Sequence, residues 1–144
     1  MKYRRFLAAL AALLLFAMAA AEAETSLSAY AYSVIEETNL ERARYGLGAL
    51  RVDEELMAAA RVRAGEIVQK YSHTRPDGTA WRTVSGAAYG ENIARGHNNP
   101  DRVMAAWMSS SGHRQNILKA SYGSIGVACV KVGNACYWVQ LFGR

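Results

Sequence analysis

An α+β fold is what the order of apolar patterns predicts for this 144-residue chain. Stretches with helical spacing come early and recur after Pro100, while the Val-, Tyr- and Trp-rich strand signal is concentrated between Ser124 and Phe142. The strand–helix–strand alternation that builds a parallel sheet is missing from the pattern.

The chain opens with Lys2, Arg4 and Arg5, continues with an apolar run from Phe6 to Ala20, and then shows Ala21-Glu22-Ala23. A basic flank, a short apolar core and an A-x-A site predict a secretory signal peptide cleaved near Ala23 rather than a membrane-spanning helix. No Cys lies between Ala19 and Ala23, which argues against a lipoprotein. The expected organisation is a signal at 1–23 and a single domain at 28–144, with no integral membrane segment after signal removal. The 121 residues left once 1–23 are taken from the 144 are enough for one core and too few for two. That removal takes three basic residues and one acidic residue, so the formal charge falls from +5 to +3. The remaining Arg and Lys are scattered, without a basic run or interleaved aromatics, which excludes a nucleic-acid-binding protein.

From about Ser28 to Tyr45, Ala31, Val34, Ile35, Thr38 and Ala43 recur at helical spacing and Gly46 supplies a stop. Asn39 and Arg42 lie one turn apart on this first helix, where interior polar groups need hydrogen-bond partners. A second helix starts at Asp53, a capping residue followed by the acidic pair Glu54-Glu55. Val52 is placed to staple onto Met57, and Leu56, Ala60, Ala64 and Ile67 form a core stripe that continues to Tyr71. Arg75-Pro76-Asp77-Gly78 marks a loop, with Trp81 and Val84 pinning a short helical turn inside it. Pro100 opens another helix, buried through Val103, Met104 and Trp107 and ended by Gly112. Two antiparallel strands joined at Gly133-Asn134 complete the chain.

Cys129 and Cys136 are the only cysteines, and export makes a disulfide between them the expected state. A turn centred on Val132-Gly133 places them directly opposite each other. The spacing matches neither a C-x-x-C motif nor a zinc pattern, and a bridge closing so small a loop contributes about 2 kcal/mol at most.

The chemistry-bearing residues fall in three short polar motifs: SHTRPDG at 72–78 with His73, GENIA at 90–94 with Glu91 and Asn92, and SSSGHRQNIL at 109–118 with Ser110, His113, Arg114 and Asn116. Taken singly, His73 and His113 read as loop or helix-end groups and Glu91 as a solvated carboxylate. Together, two imidazoles and one carboxylate are the donor set of an open divalent-metal site, zinc first. A Ser–His nucleophile pair built from Ser109 or Ser110 and His113 lacks a nucleophile elbow and an assigned orienting acid.

These motifs, with AWMSSSGHRQNIL at 106–118 and the closing YWVQLFG at 137–143, resemble those of the CAP superfamily, the SCP-like proteins that include the cysteine-rich secretory, antigen-5 and pathogenesis-related-1 groups. The resemblance covers nearly all of the chain after residue 28 and is nearest to short bacterial secreted members. It implies a three-layer α-β-α sandwich around a small antiparallel sheet, with a third strand from the 86–95 region. It also implies a cleft in which His73, Glu91 and His113 meet, supported by Ser110, Arg114, Asn92 and Asn116. Animal-type relatives place a second acid three residues after the Trp. Here that place holds Ser110, a poor divalent-metal ligand, and Ser111 stands where bacterial relatives usually carry Pro. The expected function is an extracellular binding or interaction module for a ligand, lipid or protein, with one divalent metal in the cleft. The alternative is a metal-dependent hydrolase, a peptidase or esterase, using the same residues.

Overall fold

In the computed structural model, the backbone is described from Lys2 to Arg144 and the side chains from Leu7 onward. The side chains of the basic flank, Lys2, Arg4 and Arg5, lie outside the described residues.

The first element, α1, runs unbroken from Lys2 to Arg44, and so begins well before the expected start at Ser28. The cause is compositional: these residues are dominated by Ala, Leu, Glu and Met, with no Gly or Pro to stop helix growth across the predicted cleavage site. The two halves nevertheless differ. Residues 7–26 are exposed throughout, whereas Ala31, Val34, Ile35 and Thr38 are buried in the domain. The exposed half reaches a mean hydropathy of 1.8 and is long and apolar enough to cross a membrane. It fits a signal peptide. Gly46, at φ +69, takes the left-handed backbone that ends the helix.

After α1 come β1 (Arg51–Val52), α2 (Glu54–Gln69), a 3-10 turn (Trp81–Val84), β2 (Gly90–Arg95), α3 (Pro100–Ser109), α4 (Ser111–Ile117), β3 (Ser124–Val132) and β4 (Ala135–Gly143). Asp53 caps α2 by accepting from the Leu56 N–H at 3.0 Å, and Asn99 caps α3 by accepting from the Arg102 N–H at 2.9 Å. The sheet order is β1-β3-β4-β2. β2, β3 and β4 pair antiparallel, and β1 adds a short parallel edge against β3, so the sheet is mixed rather than purely antiparallel.

Strand alternation divides the core into two layers. Ile125, Val127, Cys129, Trp138 and Phe142 join the cluster formed with α1, α3 and α4 through Val34, Ile35, Val103, Trp107 and Ile117. Ala128, Val139, Leu141 and Ile93 join the stripe Leu56, Ala60, Ala64 and Ile67 of α2. The result is the expected α-β-α sandwich.

Two local expectations fail. Gly112 does not end α3; the chain breaks at Ser110, whose N–H bonds back to Trp107 O at 3.1 Å, and a new helix then carries Gly112, His113, Arg114 and Asn116. The cysteines are also not opposite each other. The turn sits at Gly133-Asn134, which pairs Cys129 with Trp138 and Cys136 with Lys131, and both thiols are free.

Contact between α2 and β3 depends on a missing side chain. A Cβ at Gly126 would run into the backbone of Leu56 and Met57. Gly126→Ala is expected to push α2 off the sheet and destabilise the domain by about 3 kcal/mol, measured by urea unfolding.

Candidate functional site

The residues singled out by sequence gather around β2, the edge strand. Successive side chains of a strand point to opposite faces, so Glu91 faces α2 while Asn92 faces the layer of α1, α3 and α4.

On the α2 face, Glu91 meets Arg63, a residue that the sequence motifs do not mark. Both side chains are wholly buried. Arg63 Nε donates to Glu91 Oε2 at 2.7 Å and Nη2 to Oε1 at 3.1 Å, a two-pronged ion pair. His73 Nδ1 lies 2.8 Å from the same Oε1, with its ring 54% exposed. Arg63 also reaches Glu66 at 2.7 Å and the Ser72 carbonyl at 2.8 Å, and Glu66 in turn accepts from Arg75 at 2.7 Å. The chain of alternating charge Arg75–Glu66–Arg63–Glu91 thus ends at His73. It holds the 72–81 loop to α2, and the Trp81 N–H closes that loop on the His73 carbonyl at 2.9 Å.

On the other face a neutral chain crosses the core. Asn116 Nδ2 donates to Asn92 Oδ1 at 2.9 Å, Asn92 Nδ2 to Gln140 Oε1 at 2.9 Å, and Gln140 Nε2 to Thr38 Oγ1 at 2.7 Å. Asn92 Nδ2 also reaches the His113 carbonyl at 3.1 Å and so ties α4 to the strand. Asn116 and Asn92 therefore act as connectors. Arg114 lies on the surface, its guanidinium 5.2 Å from the centre of the Tyr45 ring and bonded to the Tyr45 hydroxyl. Ser109 Oγ donates to the Ala105 carbonyl at 2.8 Å rather than to an imidazole, and Ser110 serves as the junction of α3 and α4.

The helical segment carrying His113 packs in the α1/α3 layer, around the sheet edge from Glu91. Burial, and then the nearby charge of His73, hold the His113 imidazole below its ordinary pKa and favour its neutral form. Among the described residues, no three His, Cys, Asp or Glu side chains are grouped to hold a metal ion. The donor chemistry explains why. Oε1 of Glu91 already accepts two hydrogen bonds, Oε2 accepts one from a guanidinium, and neither oxygen reaches solvent. Glu91 as a direct ligand of the divalent metal implied by the motifs does not fit this arrangement, and no chemical step is derived through one.

Asn39 and Arg42 of α1 are anchors of another kind. Asn39 exchanges hydrogen bonds with the backbone of Leu50 at 2.7 and 3.0 Å. Arg42, 2% exposed, donates to the carbonyls of Gly48, Ile117, Lys119 and Tyr122 at 2.8 to 3.3 Å.

A three-layer α-β-α sandwich around a small mixed sheet is the architecture of the CAP-type domains to which this chain is similar. The family model for CAP, the cysteine-rich secretory protein family, matches residues 35–142, and the chain belongs to that family. It is 40% identical over 128 residues to the uncharacterized protein YkwD of Bacillus subtilis (strain 168), covering 83% of this chain and 49% of that protein. The chain thus spans about half the length of that relative. Among solved structures it is similar to an extracellular protein containing a SCP domain from Bacillus anthracis (TM-score 0.73, 25% identity, 82% of this chain and 41% of that one). It is also similar in fold to an outer surface protein of Borrelia burgdorferi (TM-score 0.67, 24% identity, 76% and 88%).

Removing Arg63 leaves a buried carboxylate without its cation. Arg63→Met is expected to cost about 3–5 kcal/mol in urea unfolding, and Arg63→Met combined with Glu91→Leu to recover most of that loss. The Glu66 carboxyl is raised by burial but pulled further down by hydrogen bonds from Arg75 and Arg63, so its folded pKa lies below the ordinary 4.5. A depressed folded pKa contributes stability that is present above 4.5 and is lost as pH falls through the folded value. Wild type should therefore lose stability in acid below that point more steeply than Glu66→Gln, as read by melting temperature against pH.

Proposed function

We propose that this chain is an exported CAP module that works by binding an extracellular ligand, lipid or protein, and that its polar seam serves the fold rather than a reaction. The observation that carries this reading is the burial of Glu91 with both oxygens engaged by Arg63 and His73. A hydrolase built on His73, Glu91 and His113 would use that carboxylate as ligand or general base, and neither role is open to a sealed ion pair. What remains accessible is the rim above it: the exposed His73, the partly buried His113 and the 72–81 loop that the charge chain holds rigid. Binding surfaces gain affinity when the loop presenting them is already ordered.

Export is supported by the exposed apolar half of α1, by the Ala21-Glu22-Ala23 site, and by the names of similar proteins, one extracellular and one an outer surface protein. Cleavage near Ala23 would leave Leu27, Ala31 and the buried half of α1 in place.

Two measurements test the reading. Zinc titration of the metal-free protein in a calorimeter is expected to show no binding tighter than about 10 µM, equivalent to about −7 kcal/mol. Binding above that threshold that disappears in both His73→Ala and His113→Ala would replace the reading with a metal centre. Chelator-sensitive turnover of ester or peptide substrates, lost in His73→Ala, would establish the hydrolase instead. Mass spectrometry of protein recovered from the culture medium is expected to find a chain beginning at Glu24.

A further inference from the structure

We propose that Cys129 and Cys136 are a disulfide-forming pair that locks the β3–β4 hairpin when the chain folds in an oxidising compartment. The expected geometry, two residues directly opposed, is wrong by one diagonal step. Cys129 pairs with Trp138 and Cys136 with Lys131, so the cysteines are diagonal neighbours on one face, the face that packs on α1. Diagonal neighbours on a flat antiparallel pair are about 7–8 Å apart, just beyond a disulfide's ordinary Cα span of about 4.4–6.8 Å, and strand twist shortens one diagonal at the expense of the other, so the bridge forms with a small shift of the hairpin strands. Here both side chains lie on that one face and in one buried cluster, so bridging calls for a local adjustment of the hairpin and leaves the rest of the core in place.

Reaction requires an oxidant, and a disulfide of a small thiol or of a thiol oxidase supplies it. One cysteine thiolate attacks that disulfide, forming a mixed disulfide and releasing one thiolate. The second cysteine thiolate then attacks the protein sulfur of the mixed disulfide and expels the other thiol. The two cysteines lose two electrons and two protons, and the oxidant gains them as two thiols.

Timing follows from burial. Cys129 is 8% exposed and Cys136 2%. Desolvation first, and then the neighbouring Cys136, push the Cys129 thiol far above the range in which it ionises at neutral pH. The folded, reduced domain is therefore a poor substrate, whereas an unfolded chain emerging outside the cell has ordinary thiols. The lock closes during folding, and its biological use rests on the export argued above.

What it locks is the exposed end of the hairpin, residues 131–134, together with the loop after β2. The Gly96 N–H donates to the Cys136 carbonyl at 2.9 Å, and Trp138 Nε1 to the His97 carbonyl at 2.6 Å. Fraying at Cys136 would release both.

The full-length chain, reduced and unfolded, is refolded in a glutathione buffer containing glutathione disulfide, acid-quenched, alkylated under denaturing conditions and weighed. The expected product carries no alkyl group and is lighter than the reduced protein by two hydrogens. Its melting temperature is expected to lie about 5–10 °C above that of the reduced protein. The same oxidant added to folded, reduced protein should form the bridge about tenfold more slowly or worse. Two alkylated cysteines after oxidative refolding, or glutathione on both, would overturn the pairing. A bridged product melting with the reduced one would overturn the lock. Because the refolding is done in vitro, a bridge that forms there while no processed chain reaches the medium counts against export and not against the pair.

Discussion

Arg63 and Glu91 are both wholly buried, and neither is stable as an ion without the other. An isolated charge in a protein interior costs several kcal/mol after relaxation, so the pair persists only because its geometry is close to ideal: two parallel hydrogen bonds at 2.7 and 3.1 Å, with two further guanidinium donors taken by Glu66 and the Ser72 carbonyl. That requirement constrains the surroundings. α2 must lie at the depth and rotation that put Arg63 beside β2, and the 72–81 loop must return its Ser72 carbonyl to the same guanidinium. A Lys at 63 would supply the charge but not the fork. The exposed His73 is held at the end of this series.

The second constraint is the sheet edge. β2 is paired only on its β4 side, so the backbone groups of Glu91 and Ile93 face outward. An open edge invites pairing with another chain. Here side chains close it. Asn116 donates to the Glu91 carbonyl at 3.2 Å, and Trp107 donates to the Ile93 carbonyl at 3.2 Å, with the Tyr71 hydroxyl at 3.5 Å. Residues of the 106–118 motif are thus spent on sealing the strand that carries the GENIA motif, which accounts physically for two polar motifs occurring together.

Much of the frame was legible in the sequence because its signals are local. Asp53, Pro100 and Gly46 mark helix ends through their own backbone and capping chemistry, and the Leu56–Ala60–Ala64–Ile67 stripe reports its buried face by spacing alone. The readings that failed needed information from elsewhere in the chain. Gly112 looked like a stop because glycine commonly follows helices, but the break at Ser110 starts a new helix that Asn92 fastens to the sheet through the His113 carbonyl. The cysteine register turned on a turn position one residue along. Arg63 was hidden by its setting: an Arg amid the small residues of an amphipathic helix reads as solvent-facing, and only the tertiary fold shows that Glu91, 28 residues later, turns that position inward.

The same non-locality decides the chemistry. His73, Glu91 and His113 are the right residue types for a divalent cation, but a motif counts donors without counting the partners they already have. In the fold, two guanidinium groups, Arg63 and Arg75, face two carboxylates, Glu66 and Glu91, and the cluster is neutral as it stands. A divalent ion placed against Glu91 would bring two further positive charges to within hydrogen-bonding range of a buried guanidinium that cannot lose its proton. In a site built for metal, the carboxylate's counter-charge is the metal. Here Arg63 already stands in that position beside Glu91, so this carboxylate is committed to holding α2 and the 72–81 loop to the sheet edge.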